Sequence, residues 1–192
     1  AILLLLRCVA FPEEAIPQFV AFDTFSLLLQ PAFLFASCQQ MRSLTIRFLS
    51  QVCKLQPSIT HTVSLDQLNH LFAQANALED PEPVDVLLRI SVAFFKHARQ
   101  LETSLPEHPI LGRFIEAIMA SKFREIRHLL FLQRCLVLAA SFPSLHPFLL
   151  DIGLLDCAIF TAKQDYEHFV PLPNEALAFS EHFDLSLQVT HH

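Results

Sequence analysis

The sequence predicts an all-α fold, and three observations favour it. Only two glycines, Gly112 and Gly153, occur among the 192 residues, where average usage of about 7% would give roughly thirteen. Hairpin turns, phosphate loops and nucleophile elbows need glycine for positive φ or close backbone approach, so folds built on them are disfavoured. Apolar residues make up 53% of the chain and charged residues 17%, too hydrophobic a balance for disorder. The apolar residues recur at i, i+3 and i+4, as on a helix face.

The aromatic and sulfur-containing residues also fit a helical core. The chain has nineteen Phe, one Tyr and no Trp. Such aromatic residues fill a core and provide few O–H or N–H groups for hydrogen bonds at a surface. Its five cysteines form no CxxC pair, and we interpret them as reduced core thiols of an intracellular protein, cytoplasmic or nuclear. Their spacing gives a zinc site almost no support. They are Cys8, Cys38, Cys53, Cys135 and Cys157.

The stretch 123–164 has the clearest layout in the chain. Its pattern predicts a long helix, a corner at Pro143, a short turn and a second apolar helix after Gly153. The same layout recurs upstream at a spacing of 43 residues. We call the first residue of the final helix and its equivalents the anchor positions, and all four are apolar. The anchor positions are Phe25, Leu68, Leu111 and Leu154.

Six of the 43 columns in this register are apolar in every copy. Besides the anchor, two columns lie three and four residues after it, so one face of each shorter helix is apolar. Three more lie 24, 19 and 16 residues before it. The later columns contain Leu28 and Leu29, Leu71 and Phe72, Phe114 and Ile115, and Cys157 and Ala158. The earlier columns contain Ala1, Leu44, Leu87 and Leu130; Leu6, Leu49, Val92 and Cys135; and Val9, Val52, Phe95 and Leu138.

Each copy therefore predicts a long helix followed by a shorter one. Pro57 and Pro143 occupy one register position, at the corner between the two. The first copy is the least regular, because Pro12, Pro17 and Pro31 are expected to break its helices. The expected long helices lie near 38–55, 83–102 and 124–142, and the expected shorter ones near 66–78, 109–120 and 153–164.

Two local signals predict helix starts. The segment from Ser104 to Glu107 has the S-x-x-E form of a capping box and precedes Pro109. The acidic loop 79–83 places negative charge at the N-terminus of the next helix, where the helix dipole favours it.

A period near 43, two or three helices per unit and proline at the corner resemble armadillo and HEAT repeats. The resemblance is closest over LVLAASFPSLHPFLLDIGLLDCAIFTAK, residues 136–163. This segment is similar to the armadillo pattern of a helix, a short turn helix and a glycine-containing step into the last helix. The resemblance implies a right-handed superhelical α-solenoid of about four repeats of ~43 residues. Its units would be 1–36, 37–80, 81–122 and 123–165, with 166–192 irregular or forming a capping helix.

The same resemblance implies that an extended peptide or a partner domain binds along a concave face lined by the last helix of each repeat. Importin-like recognition of basic peptides is disfavoured, because that family often uses rows of Trp and Asn and this chain has no Trp. Two residues along a helix is a rotation of about 200°, so positions two after each anchor face away from the core. These positions are Leu27, His70, Arg113 and Asp156. The partner-binding candidates are Asn69, His70, Arg113, Glu116, Asp156 and Lys163.

The charge distribution favours a protein or peptide partner over nucleic acid. The formal net charge is −6, and clusters of basic residues with interleaved exposed aromatics are missing from the sequence. Residues 86–134 nevertheless contain eight basic and four acidic side chains. Within that region a basic patch of Lys122, Arg124 and Arg127 is expected to meet an acidic protein partner.

Sequence signatures of catalysis and membrane insertion are missing. The chain has no GxSxG, HExxH, Walker or GxGxxG motif. Its ten His residues form no helical metal-ligand pair with a carboxylate neighbour. No run of about 18 uncharged apolar residues occurs, so no transmembrane span is expected. We expect no cofactor, no metal, no small-molecule substrate and no enzymatic activity.

Three hypotheses about function follow. The first is a helical-repeat scaffold or adaptor, expected to be one segment of a longer solenoid because apolar faces at both ends would otherwise lie open. The second is a compact helical regulatory domain of a larger signalling protein, such as a kinase or GTPase regulator. The third is an enzyme, which a pocket with clustered titratable groups of perturbed pKa would favour.

Overall fold

The computed structural model describes residues 2–21, 25–77, 81–102, 104–120 and 126–163, and over these residues the chain is all-α, without a strand. The chain divides into two compact units, Ala1–His97 and Ala98–His192. The helices are α1 (Ile2–Ala10), α2 (Pro12–Ala21), α3 (Phe25–Leu28), α4 (Pro31–Leu34), α5 (Gln39–Leu55), α6 (Leu65–Ala77), α7 (Pro81–Gln100), α8 (Pro109–Met119), α9 (Ile126–Ala140), α10 (His146–Asp151) and α11 (Leu154–Lys163).

The alternation of long and short helices predicted from the sequence is confirmed within the described residues. The long helices are α5, α7 and α9, and the shorter ones are α6, α8 and α11. Short 3₁₀ helices, Pro57–Thr62 and Pro143–Leu145, follow α5 and α9. Proline suits these corners because it fixes φ and supplies no N–H that a continuing helix would need.

Helix α5 is the centre of the first unit, and α1, α2, α3 and α4 all pack against it. Its inner face carries Phe48, Leu49 and Val52, which are fully buried. The ring of Phe19 in α2 lies 4.7 Å, centroid to centroid, from the ring of Phe48. The Gln51 side chain donates from Nε2 to the carbonyl oxygen of Val9 in α1 at 3.3 Å. Aromatic packing and one amide hydrogen bond therefore join the first helices to α5.

Buried hydroxyls in these helices are satisfied within their own helix. Thr45, Ser91 and Thr161 donate from their side chains to carbonyl oxygens one turn earlier, at 2.8–2.9 Å for the bonds to Met41, Leu87 and Cys157. Such back-bonding removes the cost of burying an unpaired hydroxyl. Polar residues can therefore occupy the buried stripe without a partner from another helix.

The second unit is built around α8 and α11, which pack against each other. Helix α9 packs against α8, and α10 packs against α11. At the corner after α9, the carbonyl oxygen of Ala140 accepts a hydrogen bond from Nε2 of His146 at 2.7 Å. Gly153 then adopts φ of +90° between α10 and α11, a conformation that L side chains rarely adopt. The glycine therefore allows the chain to turn directly from one helix into the next.

The structure differs from the sequence prediction where two helices are capped. Residues 104–108 precede α8 as coil, and the N-cap is His108, whose Nδ1 accepts from the backbone N–H of Ile110 at 3.2 Å. The helix start predicted at Pro109 is therefore confirmed, whereas Ser104 as its capping residue is wrong. The equivalent geometry belongs to α6, where Oγ of Ser64 accepts from the backbone N–H of Gln67 at 3.1 Å. Ser64 and Gln67 have the S-x-x-Q spacing of the same motif.

Several core and proline assignments also need correction. Pro17 lies inside α2 and does not end it. In α1 the buried residues are Leu5 and Cys8, one position before the predicted Leu6 and Val9, because α1 faces both α2 and α5. Leu138 is half-buried, since it lies in the last turn of α9 next to the corner. Cys38 is exposed at the start of α5 and is not a core thiol.

Truncating Phe72 to Ala is expected to lower the free energy of unfolding by about 3 to 5 kcal/mol, because its ring is 2% exposed and a cavity would remain. The matched control is Leu55→Ala, which removes a side chain that is 48% exposed and should change stability by less than about 0.5 kcal/mol. Urea denaturation followed by circular dichroism measures both. Equal losses for the two variants would contradict the assignment of the core.

Candidate functional site

The positions two residues after each anchor face solvent, as the helical rotation predicts. Leu27, His70, Arg113 and Asp156 are all exposed. The anchors themselves are buried, and so are all eight residues three and four positions after them. Each shorter helix thus has one buried stripe and, opposite to it, an exposed position. We call this set of equivalent positions the exposed row, a name that refers only to their shared place in the register of each helix.

Local sequence defines where each of these helices begins. Ser64 fixes the first turn of α6, and His108 does the same for α8. In α11 the carbonyl oxygen of Gly153 accepts from the backbone N–H of Cys157 at 3.0 Å, and Asp156 lies in the first turn. A carboxylate at that place interacts favourably with the positive end of the helix dipole.

The other predicted site residues differ in their placement. Glu116 is exposed on α8, one turn after Arg113. Asn69 is half-buried on α6, and its Oδ1 atom is enclosed without a hydrogen-bond partner among the described residues. Lys163 is the last residue of α11, and Arg127 lies in α9. Their side chains, together with the whole of Lys122 and Arg124, lie outside what the structure describes.

Within the second unit, α8 and α11 bring two of the candidates onto neighbouring helices. Arg113 lies on α8 and Asp156 on α11, at the same position relative to their anchors. Both side chains are exposed. One helix therefore presents a cation and the next an anion, a mixed-charge surface that suits complementary charges on a partner.

A second surface, which the sequence did not single out, lies between α5 and α7 in the first unit. It is an open groove of about 490 Å³. We call it the α5–α7 groove. Its apolar lining includes Pro57 at the corner and Val92 and Ala93 on α7. Its basic lining consists of Lys54, Arg89 and Lys96, and no Asp or Glu is among the described residues that line it.

The charges in this groove are only partly neutralised. Nε of Arg89 lies 2.7 Å from Oδ2 of Asp85, one turn earlier in α7. Lys54 and Lys96 are exposed, and neither forms an ion pair with another described residue. The groove therefore carries more positive than negative charge above an apolar floor. The sequence does contain a signal for one side of this groove. Arg89 and Lys96 are spaced i, i+7, so they lie on one face of α7, with Val92 and Ala93 between them in sequence.

The buried thiols are chemically unreactive at neutral pH. Burial raises the pKa of the Cys53 thiol to about 12, although the nearby Arg89 charge acts in the opposite direction. Burial likewise raises the pKa of Cys157 to about 12 and raises the pKa values of Cys135 and Cys8. Since the thiolate is the nucleophile, Cys53 at the groove remains a protonated packing residue at neutral pH.

Two further properties follow from the described residues. Among them, no group of three or more His, Cys, Asp or Glu is placed to hold a metal ion. No single described helix is both long and apolar enough to cross a membrane. The segments His128–Ala140 and Pro143–Asp151 reach that length and composition only together, across a bend of 102°.

Comparisons with known proteins give no relative for this chain: no family model, no curated protein and no solved structure matches it.

The raised thiol pKa values predict a loss of stability at alkaline pH. Above about pH 9 the unfolded chain releases thiol protons, while folded Cys53 keeps its proton up to about pH 12. The folded state then binds more protons, so the free energy of unfolding falls as pH rises, by about 1.4 kcal/mol per pH unit for each such thiol. Urea denaturation between pH 8 and pH 11 measures this slope. Cys53→Ala should make the slope shallower by about 1.4 kcal/mol per pH unit, which is the contribution of one thiol. An unchanged slope would contradict the raised pKa of Cys53.

Proposed function

We propose that this chain is an armadillo- or HEAT-type interaction domain that binds a peptide or partner domain along its shorter helices. One observation carries the proposal. In α6, α8 and α11 the anchor and the positions three and four later are buried, while the position two later is exposed. Three helices that share one register thus each offer the equivalent exposed position for binding.

The packing inside each unit supports the repeat part of the proposal. In the second unit α8 contacts α11, and these are successive shorter helices in the 43-residue register. In the first unit α1 contacts α5, and the hydrogen bond from Gln51 to Val9 joins residues that are 42 positions apart. Contact between equivalent elements of neighbouring repeats is the arrangement that stabilises a solenoid.

The side chains of the exposed row, together with Glu116 one turn further along α8, suggest the chemistry of the partner. Arg113 is cationic, Glu116 and Asp156 are anionic, and His70 is a polar group able to donate or accept a hydrogen bond. A peptide or a partner's helix that carries charges of both signs would pair with such a surface. Exposed charges of this kind contribute mainly to specificity and to the rate of association.

A compact helical regulatory domain is the second candidate, and one observation favours it. The chain divides into two compact units, Ala1–His97 and Ala98–His192, whereas the resemblance to armadillo repeats implies about four units of ~43 residues. Under this alternative the exposed positions would belong to a solvated surface. Substituting them would then leave partner binding unchanged.

Charge reversal in Arg113→Glu is expected to weaken binding of a partner about tenfold while changing the free energy of unfolding by less than about 0.5 kcal/mol, because an exposed charge contributes little to folding. Affinity purification with wild-type chain would identify candidate partners, and each purified candidate would be titrated by isothermal calorimetry. The matched control is Arg47→Glu, which reverses an exposed charge on α5. A partner that binds wild type, Arg113→Glu and Arg47→Glu equally tightly would contradict the proposed binding face.

A further inference from the structure

The α5–α7 groove lies on the long helices, whereas the exposed row belongs to the shorter ones, and the groove has a different chemistry. Its rim carries two lysines without an acidic partner among the described residues, Lys54 on α5 and Lys96 on α7. The apolar part of the lining includes Pro57, which is exposed, and Val92 and Ala93, which are buried. The arrangement therefore places ammonium groups beside an apolar strip.

We propose that this groove is a second binding site, and that its occupant is an acidic peptide segment of a protein partner with alternating carboxylate and aliphatic side chains. The inference rests on the groove alone, so it holds whether or not the shorter helices bind a partner. Three features lead to it: the charge, the shape and the aliphatic character of the described lining.

The charge of the groove selects an anionic occupant. Arg89 is paired with Asp85, while Lys54 and Lys96 are exposed and form no ion pair with another described residue. Each lysine acts as a flexible point charge and can follow carboxylates in more than one position.

The shape of the groove favours an extended peptide over a compact anion. The lining residues on α7 extend from Arg89 to Lys96, two helical turns or about 10 Å along the helix. An extended chain rises about 3.3 Å per residue and points alternate side chains to opposite sides. Aliphatic side chains would then cover the apolar floor, while the carboxylates between them reach the rim lysines.

The residues that line the groove also favour a peptide over a nucleic acid as its occupant. Single-stranded nucleic acids bind where bases stack on aromatic side chains within a basic groove. None of the described residues that line the α5–α7 groove is aromatic. Aliphatic contacts with Val92 and Ala93 fit leucine or valine side chains better than they fit bases.

The test uses the full chain and a fluorescein-labelled octapeptide in which glutamate and leucine alternate. Fluorescence anisotropy at low salt should show saturable binding to wild type. Lys96→Glu should weaken this binding about five- to twentyfold, and Lys96→Gln by a smaller factor, because reversal adds repulsion to the lost attraction. Circular dichroism and thermal melting establish that each variant is folded.

Two control variants test whether the octapeptide binds at this groove in particular. Arg47→Glu reverses an exposed charge on α5 outside the groove, and Arg7→Glu does so on α1. Both variants should bind the octapeptide within about twofold of wild type. If Lys96→Glu, Arg47→Glu and Arg7→Glu all weaken binding equally, the peptide responds to net charge only and the proposal fails.

The competing occupants give distinct outcomes. A labelled oligothymidylate of eight nucleotides or inorganic phosphate would be titrated under the same conditions. The proposal requires that the acidic octapeptide bind more tightly than either. Tighter binding of the oligonucleotide or of phosphate, or no saturable peptide binding at all, would overturn it.

Discussion

The rest of the structure depends on the burial of three apolar side chains on each shorter helix. In α6 these are Leu68, Leu71 and Phe72, all nearly inaccessible to solvent. Burying each such side chain contributes about 1.5 to 3 kcal/mol, far more than an exposed charge contributes. The stripe therefore fixes the rotation of each helix about its axis. Once the rotation is fixed, the exposed positions follow from helical geometry and not from any interaction of their own.

Much of the fold could be predicted from the sequence because its signals are periodic or chemically strict. The spacing i, i+3, i+4 located every buried stripe on the shorter helices. Scarce glycine pointed to helices, and Gly153 adopts a positive φ, which favours glycine, at the turn between α10 and α11. Pro57 and Pro143 each begin a 3₁₀ turn at equivalent positions.

The failures have equally definite causes. The S-x-x-E/Q spacing occurs at both Ser64 and Ser104, and only hydrogen bonding in three dimensions shows that Ser64 caps α6 while His108, not Ser104, caps α8. The buried stripe of α1, Leu5 and Cys8, lies one residue before the positions that the 43-residue register predicts. Periodicity describes a single helix, and it cannot specify which neighbours the helix will meet. The α5–α7 groove was missed because the spacing of Arg89 and Lys96 marks only its α7 side, and no local pattern shows that Lys54 on α5 lies opposite to them.

The central claim is that one register buries the anchors and leaves the positions two residues later free for a partner. It is tested most directly by urea denaturation of six alanine variants. We expect Leu68→Ala, Leu111→Ala and Leu154→Ala each to lower the free energy of unfolding by about 2 to 5 kcal/mol. We expect His70→Ala and Arg113→Ala to change it by less than about 0.5 kcal/mol, and Asp156→Ala by up to about 1 kcal/mol because of the helix dipole. Losses of equal size in the two sets would contradict the account.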